Sequence, residues 1–321
     1  MTNDLDLMIK ICKLFYKEGL QQLQIAKMLK ISRFKVSRIL TQAREQGVVK
    51  INITEPIYTE ASLEDYLEER FCLQRAIVVK NYGLSDDELK EKIGAATANY
   101  LTQIVRDGDI LCVSWGSTVN KVAEALPVSN KKVEVVQVNG GSRYTEIDTS
   151  CHVITARIAS KFNTSPNLLY APALADSKDI KDILLKDSNI KHVYDFFDRA
   201  DIVITSIGAI FPEPNQTLVE AGTIKPEEID ILQKKGAVGH IFYHFYDREG
   251  RICAPEFESR VIAMSLEQLK KVPYSIALDG GENKAMAILS ALRGKLVKIL
   301  VTDSRTAVLI KTLDMETESL S

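Results

Sequence analysis

The sequence predicts an α/β protein with two parts: a small N-terminal winged helix-turn-helix domain, residues 1–56, and a large Rossmann-like domain, residues 57–321. Three observations predict this class. The first 50 residues combine a helix-turn-helix pattern with a positive net charge. From residue 75 onward, short apolar runs alternate with helical patterns, which is typical of a parallel sheet covered on both faces. Between these parts, Glu55, Pro56 and Ile57 interrupt regular structure and mark the boundary.

The helix-turn-helix pattern occupies Leu20 to Ile53. Ser32 is placed to cap the second helix, and Gly47 is placed to end it. Lys30 holds the turn position that is often glycine, so we expect a slightly strained left-handed turn there. Val48 to Ile53 then predict the strand of a wing. The apolar face at helical spacing comprises Ile25, Ala26, Leu29, Ile31, Val36, Ile39 and Leu40.

The second helix of this pattern turns polar and basic side chains outward, as a helix that reads base edges in the major groove must. Residues 1–50 contain ten Lys and Arg against four Asp and Glu, net +6, whereas the other 271 residues contain 31 against 39, net −8. A basic unit of this kind suits phosphate contacts. The alternative is an ordinary amphipathic helix pair with a solvated basic face. We predict DNA contacts from Arg33, Lys35, Ser37, Arg38 and Gln42.

Composition excludes several classes of protein. No run approaches the roughly 20 apolar residues of a membrane span, and the N-terminus lacks a signal-peptide layout. We therefore expect a cytoplasmic protein without a membrane partner. The cysteines have mostly apolar neighbours and no CxxC or His–Cys spacing, which indicates buried thiols rather than disulfides or a zinc site. No metal and no cofactor are predicted. The five cysteines are Cys12, Cys72, Cys112, Cys151 and Cys253.

The large domain opens with an amphipathic pattern, Ala61–Phe71, which we interpret as a core helix, with a dimer contact as the alternative. The strands predicted after it are Ala76–Val79, Ile110–Val113, Val133–Val138, Leu168–Tyr170, Ile202–Ile207, Ile241–Tyr246, Tyr274–Leu278 and Lys298–Val301. The helices predicted between them include Asp86–Val105, Thr118–Leu126, Cys151–Lys161, Lys178–Asp187, Lys225–Lys235 and Asn283–Leu292.

Three glycine-bearing loops follow predicted strands: CVSWGST at 112–118, VNGGS at 138–142 and LDGGENKA at 278–285. In open α/β sheets, ligands bind beyond the carboxyl ends of the strands, where loops meet helix N-termini. Free backbone amides favour an anion there, and Lys284 in a first helical turn would favour it further. Each loop alone could be a plain tight turn. Three on one edge of a sheet predict a site for a phosphate-bearing small molecule.

These segments together resemble one family. The N-terminal LQQLQIAKMLKISRFKVSRIL, with VSWGST, VVQVNGG, GAVGHIFYHFYD, DGGENKAMAI and VTDSRTA, is similar to the SorC family of sugar-responsive bacterial transcriptional regulators over essentially the whole chain. The resemblance implies a large domain similar to sugar-phosphate isomerases and glucosamine-phosphate deaminases. It also implies a homo-oligomer, usually a tetramer, whose binding to operator DNA responds to a phosphorylated sugar.

The resemblance also assigns effector-binding residues by position. Lys284 matches the family's phosphate-binding lysine. His240 stands where the family commonly has an aspartate that binds ligand hydroxyls, and a structural role is the alternative for this histidine. Asn139 stands where one member has a lysine that forms a Schiff base, which argues against covalent binding here. The implied effector-binding set is Trp115, Gly116, Ser117, Thr118, Asn139, Gly140, Gly141, His240 and Lys284.

Two other functions are open to such a chain. One is a sugar-phosphate isomerase or deaminase with an appended DNA-binding domain, since that chemistry uses carboxylates beside an open-chain sugar. Asp279, Glu282 and Asp303 lie in or near the candidate loops but form no recognisable catalytic set, so no catalytic residue is predicted. The other, a purely architectural DNA-binding protein, would not need a large domain with three glycine loops. We therefore expect a regulator and not an enzyme. The tract Tyr243–Tyr246 is predicted to be an edge strand without a functional role.

Overall fold

The computed structural model describes residues 2–49, 60–142, 150–212, 218 and 223–318. The chain divides into two compact units, Met1–Pro56 and Ile57–Ser321. Residues 50–53 of the predicted wing strand and the predicted boundary at residues 55–57 lie outside the described residues, and Val48 and Val49 form a bend. No helix in the described part of the chain is long and apolar enough to cross a membrane.

The first unit is built on three helices: α1 (Thr2–Cys12), which continues as a π-helical turn to Lys17, α2 (Gln22–Leu29) and α3 (Arg33–Glu45). Ser32 Oγ accepts a hydrogen bond from the Lys35 amide at 3.1 Å, so the predicted cap is confirmed. Lys30 is left-handed, with φ of +52°, as expected. Five residues of the predicted apolar face are buried in the core of this unit, and the other two, Leu29 and Ile31, are partly buried against it. The core contains Met8, Ile11, Cys12, Leu14, Ile25, Ala26, Val36, Ile39, Leu40 and Ala43.

The second unit contains ten strands and eleven helices in its described part. The strands are β1 (Arg75–Val79), β2 (Ile110–Val113), β3 (Glu134–Gln137), β4 (Pro166–Asn167), β5 (Ile202–Thr205), β6 (Gly208–Ala209), β7 (Gly239–Ile241), β8 (His244–Tyr246), β9 (Tyr274–Leu278) and β10 (Ile299–Asp303). The helices are α4 (Ala61–Phe71), α5 (Asp86–Ile104), α6 (Ser117–Ala125), α7 (Cys151–Lys161), α8 (Lys178–Leu184), α9 (Ser188–Phe197), α10 (Pro226–Lys234), α11 (Pro255–Glu258), α12 (Leu266–Lys271), α13 (Ala285–Arg293) and α14 (Ser304–Glu318).

Seven of these strands form one sheet in the order β1-β10-β9-β5-β2-β3-β4, and every pair in it is parallel. Successive residues of β1 alternate between two cores: Ala76 and Val78 pack on one face, and Ile77 and Val79 on the other. The predicted parallel sheet with both faces covered is therefore confirmed. The order of the central strands places the loops after β9, β5, β2 and β3 side by side.

A second, antiparallel sheet has the order β6-β7-β8. The single strand predicted at Ile241–Tyr246 is wrong, because the chain reverses at Phe242 and Tyr243, which have φ of +53° and +68°. This is a two-residue hairpin turn whose central residues are usually Asn-Gly, so the sequence carries no local signal for it. The residues after the turn do form an edge strand, β8, as predicted for that tract.

The strand predicted at Leu168–Tyr170 is also wrong. The strand β4 consists of Pro166 and Asn167 alone, which pair with β3. Beyond it, the Leu169 amide donates to the buried Gln137 side chain at 3.2 Å instead of to a backbone carbonyl of β3. The Gln137 side chain thus replaces the sheet ladder, and the apolar run continues as an irregular segment in which Leu169 is buried and Tyr170 is exposed.

Helix α4 protects the open edge of the large sheet. Glu64 and Glu68 accept hydrogen bonds from the Val78 and Ala76 amides of β1, both at 2.9 Å. Unpaired amides on an edge strand would otherwise be free to recruit a foreign strand. Leu67 and the neighbouring turn of α4 pack into the core, so the interpretation of Ala61–Phe71 as a core helix is confirmed.

The cysteines differ in one respect from the prediction. All five are free thiols, and Cys12, Cys112 and Cys151 are buried, whereas Cys253 is partly buried. Cys72 is exposed, and it is the left-handed residue that ends α4, with φ of +54°.

The buried carboxylate of Asp314 fixes the last helix, α14. Arg70 of α4 donates to it at 2.6 Å and Arg293 of α13 at 2.9 Å. Burial opposes ionisation of Asp314, but the hydrogen bonds from Arg70 and Arg293 outweigh it and hold the pKa of the carboxyl below its usual value. Three helices distant in sequence are thereby joined at one side chain.

Replacing Asp314 with alanine should destabilise the protein by about 2 to 3 kcal/mol. This lies just below the roughly 3 to 5 kcal/mol that is typical of a broken buried ion pair, because the Arg70 side chain is 40% exposed. Urea denaturation at pH 7 measures the loss, and Asp182→Ala, which removes an exposed ion pair, should cost much less.

The stability difference between the parent and Asp314→Ala should depend on pH. Because the folded pKa of Asp314 is lowered, its stabilisation is fully present above the unfolded pKa, near 3.9, and is lost as the pH falls through the folded value. The difference between the parent and Asp314→Ala should therefore narrow below about pH 4. A difference that stayed constant down to pH 3 would contradict the assignment.

Candidate functional site

The outward face of α3 carries the side chains that the sequence predicts to contact DNA. The buried residues of α3 recur at helical spacing and leave the opposite side in solvent. No acidic residue occurs on this helix before Glu45, so the exposed face is uniformly basic or neutral. The predicted contact residues are all exposed: Arg33, Lys35, Ser37, Arg38 and Gln42.

Sequence reasoning missed one side chain on that face. Phe34, the second residue of α3, is 90% exposed. A signal for it exists in the sequence, because position 34 precedes the buried Val36 by two residues, which is about 200° around a helix. An aromatic side chain is thus held in solvent within a basic surface.

In the second unit, the candidate site lies at the carboxyl edge of the parallel sheet. The loop after β2 contains Trp115 and Gly116, and α6 begins at Ser117 without a side-chain cap on its first amides. Gly116 has φ of +124°, and a Cβ there would lie 3.0 Å from Ser206 Oγ. Ser206 Oγ itself donates to the Trp115 carbonyl at 3.1 Å. Glycine is therefore required where the loops after β2 and β5 meet.

A stack of three buried rings lies beside the candidate site. Tyr243, at the hairpin turn, lies between Trp115 and His240, with ring centroids 5.6 Å apart on both sides and nearly parallel planes. The Tyr243 hydroxyl forms a hydrogen bond with Ser142 Oγ at 2.5 Å. Ser142 Oγ also accepts a hydrogen bond from Thr223 Oγ1 at 2.8 Å. The prediction gave Tyr243 no role, yet this side chain links the loop after β3 to the second sheet.

His240 is buried and incompletely bonded. It is 5% exposed, and its Nδ1 has no hydrogen-bond partner among the described residues. Burial, with the nearby charge of Lys284 and the His244 ring, lowers the pKa of His240 to about 3. The ring is therefore neutral at physiological pH. It packs so closely on Gly208 that a Cβ at that position would collide with Nε2.

Lys284 forms a buried ion pair with Asp279. The ammonium lies 2.5 Å from Asp279 Oδ1, and the lysine side chain is 19% exposed. Asp279 Oδ2 also accepts the Ile207 amide at 2.8 Å. Lys284 lies in a short 3-10 turn, Glu282–Lys284, immediately before α13 rather than in the first turn of that helix as predicted. Its charge is held in place by a carboxylate at the sheet edge.

In the glycine loop before Lys284, the Gly281 amide is already hydrogen-bonded to side chains of the protein. The Gly281 amide donates to Thr306 Oγ1 at 2.8 Å and to Asp303 Oδ2 at 3.2 Å. Asp303 is fully buried and also accepts the amide of Thr306 at the start of α14. Glu282, the third carboxylate near these loops, has a side chain that is 67% exposed. Asp279 and Asp303 are thus committed to structural bonds.

The Asn139–Gly141 loop is a close packing contact and not a set of free amides. Gly140 donates to the Ile262 carbonyl at 2.9 Å and Gly141 to the Ala171 carbonyl at 2.8 Å. A Cβ on Gly140 would collide with the Pro172 carbonyl. The Asn139 side chain is buried and donates to the Gly140 carbonyl at 2.8 Å. The close approach expected at this loop is therefore to the chain's own backbone.

The structure thus brings part of the predicted set together. The start of α6 and Lys284 can attract an anion, and the unpartnered nitrogen of His240 can exchange a hydrogen bond with a hydroxyl. In the described ranges, no group of three or more His, Cys, Asp or Glu side chains could hold a metal ion. The arrangement suits a small ligand that carries both an anionic group and hydroxyls.

Comparison with known proteins identifies the large unit. Residues 55–310 match a family described as a "putative sugar-binding domain". The Deoxyribonucleoside regulator of Bacillus subtilis (strain 168) is 34% identical over 302 residues, which cover 94% of this chain and 96% of that protein.

Solved structures show the same similarity, and one of them spans both units. The full-length Sorbitol Operon Regulator SorC from Klebsiella pneumoniae matches with a TM-score of 0.76 and 30% identity, over 96% of this chain and 98% of that chain. A DeoR family transcriptional regulator from Listeria monocytogenes matches with a TM-score of 0.71 and 30% identity, over 78% and 98%. These relatives are transcriptional regulators and not enzymes. The chain therefore belongs to the SorC family of sugar-binding transcriptional regulators.

Proposed function

We propose that this regulator binds operator DNA through α3, and that a phosphorylated sugar bound at the carboxyl edge of the large sheet controls that binding. The observation that carries the second half is the buried Nδ1 of His240, which has no partner among the described residues. A buried polar atom without a partner costs free energy, and a sugar hydroxyl would supply the missing hydrogen bond. The names of two relatives, a deoxyribonucleoside regulator and a sorbitol operon regulator, agree with a carbohydrate ligand.

The phosphate of this ligand is assigned to the start of α6 and to Lys284. Helix α6 has nine residues and presents its first amides beside Ser117 and Thr118 without a side-chain cap. Such amides and the helix dipole favour a dianion, and the ammonium of Lys284 adds a full charge. Asp279 holds that ammonium at the sheet edge, where the Lys284 side chain keeps 19% of its surface exposed.

A sugar-phosphate enzyme with an appended DNA-binding unit is a weaker proposal. General acid–base chemistry needs a carboxylate or another titratable group that faces the substrate with free capacity. Asp279 is paired with Lys284, and Asp303 caps α14 and binds the Gly281 amide. Effector binding in the cytoplasm, where the operator is, is therefore the function that this site supports best.

Operator binding should depend on Arg38. A good contact to a base edge discriminates by about 1 to 3 kcal/mol, so Arg38→Ala should weaken binding at least about fivefold. Fluorescence anisotropy with a duplex selected from a random pool by the parent measures this. Arg199→Ala removes an exposed charge from the other unit and should bind like the parent. Equal affinity of Arg38→Ala and the parent would remove α3 from the interface.

The regulator should bind DNA as a symmetric oligomer, and we propose a tetramer. One helix-turn-helix covers too few base pairs for useful specificity, so paired units on half-sites about one helical turn apart, or a multiple of it, are expected. Sedimentation equilibrium of the free protein and of its DNA complex measures the state. A monomer in both would refute the proposal.

The response to phosphate should depend on Lys284. Lys284→Ala alone would leave Asp279, which is 2% exposed, without its counter-charge. The variant Asp279→Asn/Lys284→Met removes both charges and is the cleaner test. The parent should be stabilised by about 2.7 kcal/mol at 100 times the dissociation constant of its ligand, in a thermal-shift screen of phosphorylated sugars. The double variant should lose this shift and still bind the selected duplex.

One further variant separates hydroxyl recognition from phosphate recognition in that screen, and a second variant is its control. His240→Asn should reduce the shift from a phosphorylated sugar and from its unphosphorylated parent sugar alike, because the lost contact is to a hydroxyl. Glu267→Gln/Lys270→Met removes an exposed ion pair of the same type and should leave every shift unchanged. A normal response of the Asp279→Asn/Lys284→Met variant would place the phosphate at α6 alone.

A further inference from the structure

The exposed face of α3 contains a row that includes an aromatic ring. Phe34, Arg38 and Thr41 are spaced by four and three residues and therefore share one face of the helix. Each precedes a residue of the buried row Val36, Leu40 and Ala43 by two positions, about 200° around the axis. Phe34 thus lies on the line farthest from the core, in the first turn of the helix, and is 90% exposed.

This ring takes no part in the packing of its own unit. The hydrophobic core beneath α3 does not include Phe34. Removing the ring should therefore leave the fold intact. Single exposed apolar side chains are ordinary on protein surfaces, so it is the position of Phe34 within the basic outward face of α3, and not its exposure alone, that points to a partner.

The chemistry around the ring identifies the kind of partner. Arg33 and Lys35 flank it in sequence, Arg38 is its neighbour on the same face, and α3 has no acidic residue before Glu45. A basic surface of this kind fits a polyanion better than it fits the apolar surface of a protein. In duplex DNA, the apolar group displayed in the major groove is the 5-methyl group of thymine.

We propose that Phe34 recognises the 5-methyl group of a thymine in the operator, a specificity contact that rests on the proposed DNA-binding role of α3. The first turn of a recognition helix is the part that meets base edges in the major groove. Phe34 would contact the methyl group while Arg38, one turn further along, donates to a neighbouring base. Apolar wedges between base steps belong instead to proteins that bind the minor groove.

Selection from a random duplex pool by the full-length protein, with and without a mixture of sugar phosphates, provides the site for the test. The parent should select a site with at least one strongly preferred thymine in each half-site. Replacing that thymine with uracil removes only the methyl group and should weaken binding by the parent about three- to fourfold. Phe34→Ala should bind the thymine and uracil duplexes equally, because the group that senses the methyl is gone.

Met28→Ala is the matched control, because Met28 is an apolar side chain on α2 that is 59% exposed. This variant should keep the parent's preference for thymine over uracil. The proposal fails if Phe34→Ala retains that preference, or if the parent has none at any selected thymine. If Phe34→Ala lost the same affinity for the thymine and uracil duplexes, the ring would be assigned to a backbone contact or a wedge, and the proposal would also be refuted. A pool from which the parent enriches no sequence would overturn the proposed DNA-binding function and this inference together.

Discussion

Hydrogen bonds across the carboxyl edge of the large sheet hold the candidate effector site in shape. Asp303, at the end of β10, accepts from the Asn81 side chain after β1 at 2.8 Å and from Gly281 after β9. Asp279, also after β9, accepts from the Ile207 amide after β5 at 2.8 Å, and the preceding residue, Ser206, donates to the Trp115 carbonyl after β2. The loops of five adjacent strands are therefore joined. Parallel strands end without hairpins, so their loops need such side-chain bonds to adopt one arrangement.

This network fits the proposal that the edge binds a ligand without acting on it chemically. A buried carboxylate must be satisfied, and each of the two at this edge is satisfied by amides, a hydroxyl or an ammonium of the protein. Among the described residues, the buried Asn81 Oδ1 is left without a hydrogen-bond partner. The other groups that the network leaves for a ligand are the start of α6, the ammonium of Lys284 and a nitrogen of a neutral imidazole. These groups recognise charge and hydroxyls in the ground state, and a regulator needs no more than that.

How much of each unit could be predicted from the sequence depends on how far apart along the chain the interacting residues lie. In the first unit, the cap joins residues three apart, at Ser32 and Lys35, and the core repeats at helical spacing. Such local patterns can be read directly. The parallel strands were predicted for the same reason. At the sheet edge, the bond from Asn81 to Asp303 spans 222 positions and that from Ile207 to Asp279 spans 72. Sequence spacing therefore predicted that glycine loops lie at this edge but not which of their amides are already bonded.

The hairpin turn at Phe242 and Tyr243 shows why some of the site has no local signal. Two bulky residues with positive φ contradict the preference for Asn-Gly, and each costs roughly 1 to 3 kcal/mol. Tertiary contacts offset that cost, since Tyr243 stacks between Trp115 and His240 and its hydroxyl bonds to Ser142. Conflicts between local preference and observed structure concentrate at functional sites, because there the position of a side chain matters more for function than an unstrained backbone conformation. The strained turn carries the ring that packs against the unpartnered histidine, so the failure of the strand prediction at 241–246 points to the same place as the chemistry.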